Sequence, residues 1–171
     1  MGGVITFTAT TQQAKPLALD ESLKELGTAI NGNVFEVGKR DSSGRYESYE
    51  YEAFHSDDCS IYWRETHAVY DAGRRTLLEV QDVAVALLVI RPGSIETNEL
   101  GTSGHLVSFQ TQKLEPGITA RVHSTFEDGN ESKSTSIQTG YGFYFSDGLV
   151  AQKVAKALIS AIRSCSKTKS A

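Results

Sequence analysis

The hydrophobic positions of this chain change period along its length, and the changes mark its elements. Leu19, Leu23, Leu26 and Ile30 recur at i, i+4, i+7 and i+11, which gathers them on one face of a short helix. Asp20 is its candidate N-cap, and Asn31-Gly32-Asn33 supplies residues that tolerate positive φ at its end. From Val34 the period becomes two. Phe35 and Val37 alternate with polar neighbours up to the turn Asp41–Gly44. In the return run Tyr46–Phe54, Glu50 and Glu52 share one face while Tyr49, Tyr51 and Ala53 share the other. Asp57-Asp58 predicts a turn, Cys59–Tyr70 a long strand rich in aromatic and β-branched residues, and Asp71–Arg74 another hairpin tip. The most apolar stretch reads as a strand over Thr76–Val80, a break near Gln81-Asp82, and a buried strand Val85–Arg91 ended by Pro92-Gly93. Thr97–Gly104 reads as the centre of a flexible loop. Leu106–Gln112 and Ile118–Phe126 form a hairpin around Glu115-Pro116-Gly117, Glu127–Ser134 is polar and loop-like, and Thr135–Phe145 is a last strand.

The clearest element comes last. Ser146-Asp147 caps a helix in which Val150, Val154, Leu158, Ala161 and Cys165 form one stripe, widened by Ala151, Ala157 and Ile162. Burying its four large side chains yields on the order of 8 kcal/mol gross, so the stripe must cover something apolar. A short helix, seven or eight antiparallel strands and one long amphipathic helix, without strand–helix alternation, predict an α+β fold that is mainly antiparallel β. A single strongly bent sheet or barrel capped by the last helix satisfies both strands and helix. The expected organisation is a flexible segment 1–18, one globular domain 19–165 and a frayed tail 166–171.

Composition narrows the function classes. The chain has 171 residues, 39% hydrophobic and 22% charged, with a net charge of −4. A domain this long folds without needing a metal, and the hydrophobic fraction excludes general disorder. No stretch reaches the roughly 20 apolar residues of a membrane-spanning helix. The mildly acidic total argues against a dedicated nucleic-acid binder. The first ten residues lack a basic start and a continuous apolar run, so they do not read as a signal peptide. The compartment stays open between cytoplasm and export with the signal removed.

The order of strands followed by one capping helix, over roughly Asn33–Cys165, resembles the pleckstrin-homology-like barrel. The stretch Phe145–Cys165, with its Ala-x-x-Val-Ala-x-Ala-Leu-x-x-Ala-Ile-x-x-Cys pattern, is similar to the closing helix of uncharacterised, often exported bacterial proteins. The first resemblance implies a barrel and the second implies no activity.

Several residue sets carry possible chemistry. Lys39, Arg40 and Arg45 flank one hairpin turn, and Arg74 and Arg75 follow another at the same end of a meander. Five such cations suit a phosphate head group or an acidic partner, with Arg supplying forked donors, although Asp41 and Glu47 interrupt them. Trp63, Glu65 and His67 share one strand face. The plain expectation is a polar pair on the exposed face. With Trp63 inward, the pair would line a cavity and a carboxylate-oriented imidazole would serve base catalysis. Cys59 and Cys165 match no zinc or redox spacing. They are either two buried thiols or one disulfide closing a loop of about 105 residues, worth up to ~4–5 kcal/mol. Gly101–His105 is not a nucleophile elbow, and Gly140-Tyr141-Gly142 lacks a third glycine and a helix to receive phosphate. The sequence thus predicts a non-enzymatic binding module for an anionic ligand or protein partner, with no cofactor or metal. The alternatives are a carrier of small apolar ligands between sheet and last helix, and an enzyme using Glu65 and His67.

Overall fold

A computed structural model describes residues 18–37, 44–101, 104–114 and 116–168. Helix α1 (Leu19–Ile30) is the first element of the described residues. Strands β1 (Asn33–Val37), β2 (Tyr46–Asp57), β3 (Ser60–Asp71) and β4 (Arg74–Ala86) follow it. After two 3₁₀ turns come β5 (Glu96–Leu100), β6 (Gly104–Gln110), β7 (Ile118–Phe126), β8 (Glu131–Gln138) and β9 (Gly140–Phe145). Helix α2 (Gly148–Thr168) closes the fold. The architecture is α+β and every named strand pairing is antiparallel.

The strands form two sheets rather than one bent sheet or a closed barrel: β1-β2-β3-β4-β7-β8 and β5-β6-β9. The described residues hold nine strands where seven or eight are expected. One cause lies at Leu87–Val89 and Pro92–Ser94, where 3₁₀ turns replace the end of the expected strand Val85–Arg91 and lead the chain out of the first sheet. Proline supplies no ladder donor, which favours a break there. A second cause is Thr139, where the expected strand Thr135–Phe145 divides between the two sheets. Conversely, β4 runs straight through Gln81-Asp82, because these residues sit on opposite faces of one strand and keep its alternation. The expected loop at Thr97–Gly104 contains β5, and β8 begins inside the expected loop Glu127–Ser134.

Trp63, Val83 and Ala120 are cross-strand neighbours and all are buried, which defines the inner face of the large sheet. The helix stripe is buried with them: Val154, Leu158, Ala161 and Ile162 lie against a core that includes Leu26, Ile30, Val107, Phe109 and Phe143. Helix α2 packs on α1 and on the small sheet. Asp147 caps α2, its Oδ1 accepting the amides of Leu149 at 2.7 Å and Val150 at 3.2 Å. Ala18, not Asp20, is the N-cap of α1. Residues 166–168 belong to α2. Cys59 and Cys165 are bonded, with Cα atoms 5.8 Å apart, and tie the end of α2 to the β2–β3 turn.

Candidate functional site

A bulge between Glu52 and His55 shapes one end of the large sheet's outer face. Ala53 takes φ +54° there, a conformation L-residues adopt at a cost. The extra residue turns Phe54 back toward α1, where a Cβ on Gly27 would stand 3.2 Å from the Phe54 ring. The Phe54 amide donates to Asn31 Oδ1 at 2.8 Å. The same kink brings His55 opposite Tyr62, and their rings stack with centroids 4.8 Å apart and planes 9° from parallel.

From this ring pair the outer face continues through Arg64, Asp82 and Arg121, direct neighbours on β3, β4 and β7. Arg64 donates from Nε to Asp82 Oδ1 at 2.8 Å and from Nη2 to Oδ2 at 3.3 Å. That exposed fork is satisfied. The Arg121 guanidinium and the Lys133 ammonium are not: among the described residues no carboxylate lies within 4 Å of either. His123, beside Lys133, is held by Glu131 at 3.2 Å. Together these residues line two adjoining open depressions. One, of about 690 Å³, holds Arg64, Arg121, His123, Lys133 and Thr135. The other, of about 450 Å³, holds His55, Tyr62, Arg64, Thr119 and Arg121. The result is a shallow trough with stacked rings at one end, hydroxyls along it and two uncompensated cations at the other.

The inner face carries the predicted Trp63–Glu65–His67 set, and its position corrects the expectation of an exposed pair. Trp63 and Glu65 are buried because their parity matches Ile61 and Val83, the apolar positions that face the small sheet. Glu65 Oε2 accepts the Tyr141 hydroxyl at 2.5 Å, and that hydroxyl accepts Trp63 Nε1–H at 3.3 Å. Burial pushes the Glu65 carboxyl above the ordinary carboxylate range, against the opposing pull of Tyr141, His67 and Tyr51. Burial also raises the Tyr141 and Tyr51 hydroxyls, and the Glu65 charge adds to the effect. His67 lies one step outward, its Nε2 3.0 Å from Glu47 Oε2 and its ring stacked on Tyr49 at 4.4 Å. Burial raises the Glu47 carboxyl, but the His67 and Tyr49 hydrogen bonds with the His67 and Arg45 charges outweigh it and leave it lowered. Chemically this is a satisfied polar cluster: the carboxylates already accept protein donors.

The predicted basic end divides. Lys39 and Arg40 lie outside the described residues, as do the matching turn positions 41–43. Arg45 follows Gly44, whose carbonyl accepts the Ala72 amide at 3.1 Å, so Arg45, Arg74 and Arg75 do share one end of the sheet. Arg74 is exposed and sits 3.3 Å from Glu127. Between sheet and α2 lie the core side chains named above. His105 lies against the start of α2, where a Cβ on Gly148 would stand 2.8 Å from its ring; Ser103 is outside the described residues. Among the described residues no group of three or more His, Cys, Asp and Glu could hold a metal ion, and no helix is long and apolar enough to cross a membrane.

Sequence reasoning missed the trough. Alternation already sets Tyr62 and Arg64 opposite Trp63, and Arg121 in step with His123. What it could not supply was Lys133 as their neighbour, because β8 is a polar, serine-rich segment without a strand signature. The chain matches no known protein family, no curated protein and no solved structure.

Proposed function

We propose that this chain is a non-enzymatic binding module that takes an anionic ligand in the trough on the outer face of its large sheet. The observation that carries the reading is the pair Arg121 and Lys133, lining one open depression with no carboxylate within 4 Å among the described residues, while the neighbouring Arg64 is already held by Asp82. Cations left uncompensated on a surface attract anions at modest cost in desolvation. The trough adds hydroxyl groups from Thr119 and Thr135 and the ring faces of the His55–Tyr62 stack. The hairpin-end cations Arg45, Arg74 and Arg75 support the reading less, since Arg74 faces Glu127. A non-enzymatic role is supported by the engagement of Glu65 with Tyr141 and of His67 with Glu47.

Two further parts of the proposal concern origin. The succession of antiparallel strands and a closing helix supports kinship with pleckstrin-homology-like proteins, with two open sheets as the departure. The Cys59–Cys165 bond supports an oxidising, exported setting.

Fluorescence anisotropy of a dye-labelled oligoglutamate at low ionic strength tests the binding reading. The chain should bind it, salt should weaken the complex, and Arg121→Glu with Lys133→Glu should weaken it at least about tenfold. Both residues are exposed, so the variant should fold normally. No binding by the unmodified chain, or equal binding by the variant, sinks the reading.

A further inference from the structure

We infer that β8 is a docking edge for an extended acidic peptide, which joins the large sheet as its next strand and sets carboxylates against Lys133 and Arg121. The charge part rests on the anion-binding reading above; the mode of docking rests on β8 itself.

β8 ends the strand order of the six-stranded sheet, so one side of its backbone has no neighbour in that sheet. An edge of this kind presents a row of N–H and C=O groups ready for another chain. Glu131–Gln138 contains no proline or glycine, and its ladder to β7 runs from Thr125↔Glu131 to Ile118↔Gln138 without a bulge. Proline and bulges, two of the devices that blunt many edges, are therefore missing from this one, while the charges of Glu131 and Lys133 remain and select against strands that carry no acid. On the inner side the strand carries Ser132, Ser134 and Ser136, which let a neighbour approach closely.

The outer side carries a code. Glu131 is occupied by His123, Lys133 has no carboxylate within 4 Å among the described residues, Thr135 lies across the ladder from Arg121, and Ile137 is 64% exposed. Cross-strand pairs set sheet affinity. A strand added antiparallel to β8 should therefore read, from its N-terminus, apolar opposite Ile137, acidic opposite Thr135 within reach of Arg121, and acidic opposite Lys133, with a free position between each.

A second copy of this chain fits the edge less well. Antiparallel β8–β8 pairing that opposes Glu131 to Lys133 overlaps residues 131–133 only. Registers that pair seven residues oppose Lys133 to Thr135 or to Ile137, leaving the ammonium without an acid.

The test uses a capped, dye-labelled octapeptide with valine at its second position and glutamates at its fourth and sixth, the rest serine and threonine. Two further versions are N-methylated at all odd or at all even positions. Strand addition points alternate N–H groups at β8, so one methylated version should lose at least about tenfold in affinity and the other should bind like the parent. Ile137→Thr should weaken the parent peptide while leaving oligoglutamate binding unchanged. If both methylated versions bind alike, or Ile137→Thr has no effect while oligoglutamate still binds, strand addition is overturned and the anion-binding reading survives. If neither oligoglutamate nor the peptide binds, both fall.

Discussion

Breaking the Cys59–Cys165 bond removes a restraint that acts chiefly on the unfolded chain. The bond joins residues 106 apart in sequence. For a loop of that length, restricting the unfolded ensemble stabilises the fold by about 4.8 kcal/mol at room temperature. Domains of this class are stable by roughly 5–15 kcal/mol, so the bond accounts for a third or more of the total. At this chain length the loss corresponds to a fall in melting temperature of roughly 10–20 °C. The assay is urea unfolding followed by the fluorescence of Trp63, the chain's one tryptophan and 2% exposed. Three samples are compared: oxidised, reduced, and Cys59→Ala with Cys165→Ala. Alanine is the right replacement because Cys165 is fully buried and a serine hydroxyl there would add its own desolvation cost. A cross-link also compacts the unfolded chain, so free energies extrapolated to water are compared rather than midpoints. Both altered samples should fall by ~4–5 kcal/mol. A loss below about 2 kcal/mol in both, with two thiols titrating only after reduction, would refute the unfolded-chain account. Two thiols titrating in the unreduced, unfolded chain would refute the bond.

Four other outcomes follow from the inner face and the turns. Glu65 has a raised carboxyl, so the folded state takes up a proton more readily than the unfolded one and the stability linked to this group falls as pH rises through that range. Glu65→Gln should therefore be more stable than the parent near pH 7, with the advantage shrinking toward about pH 4, as thermal unfolding at both values will show. Glu47 has the opposite sign, since its lowered carboxyl contributes stability above the unfolded value that is lost on acidification; Glu47→Gln should lose stability near neutrality and match the parent in acid. Tyr141→Phe strands the Glu65 carboxylate and should cost ~1–3 kcal/mol, less in the Glu65→Gln background, by chemical denaturation of the four members of the cycle. Ala72 and Gly73 both have positive φ at the β3–β4 tip, so Ala72→Asn should stabilise by ~0.5–1 kcal/mol in the same assay.

The elements that could be read from sequence are those whose burial is one-sided. Helix α2 shows its stripe because only one face meets the core, and α1 does so for the same reason. β3 is legible as a strand, but which of its faces turns inward is not. Glu65 and His67 suggest solvent by their polarity, and burial of Glu65 is tolerable because of groups remote in sequence, first the Tyr141 hydroxyl 76 residues away. β5 and β8 were hidden because an edge strand needs no apolar face. Their side chains are mostly exposed, so most of Glu96–Leu100 and the first half of β8, Glu131–Ser134, look like loops until the partner strand is known. The division of Thr135–Phe145 between two sheets is hidden for a related reason: no proline interrupts the run, Gly140 is the one local mark beside Thr139, and the switch is decided by which neighbour each half finds.

This arrangement also changes what the net charge of −4 means for a partner. Glu65 and Glu79 belong to the inner face of the large sheet, and Glu79 is further engaged by Ser124 Oγ–H at 3.2 Å and Gln81 Nε2–H at 2.6 Å. Arg121 and Lys133 belong to the outer face, where they are exposed to solvent. Screening in physiological salt limits exposed charges to roughly 8 Å of influence, so an approaching anion responds to the groups of the trough more than to the total. Asp82 and Glu131 are the acids nearest those cations in the ladder, and each already holds a partner, Arg64 and His123. An acidic protein can therefore present an anion-attracting face, provided that alternation sends some of its carboxylates inward and pairs the rest. The charge reversal at Arg121 and Lys133 examines that condition, because it alters the trough and leaves the inner carboxylates untouched.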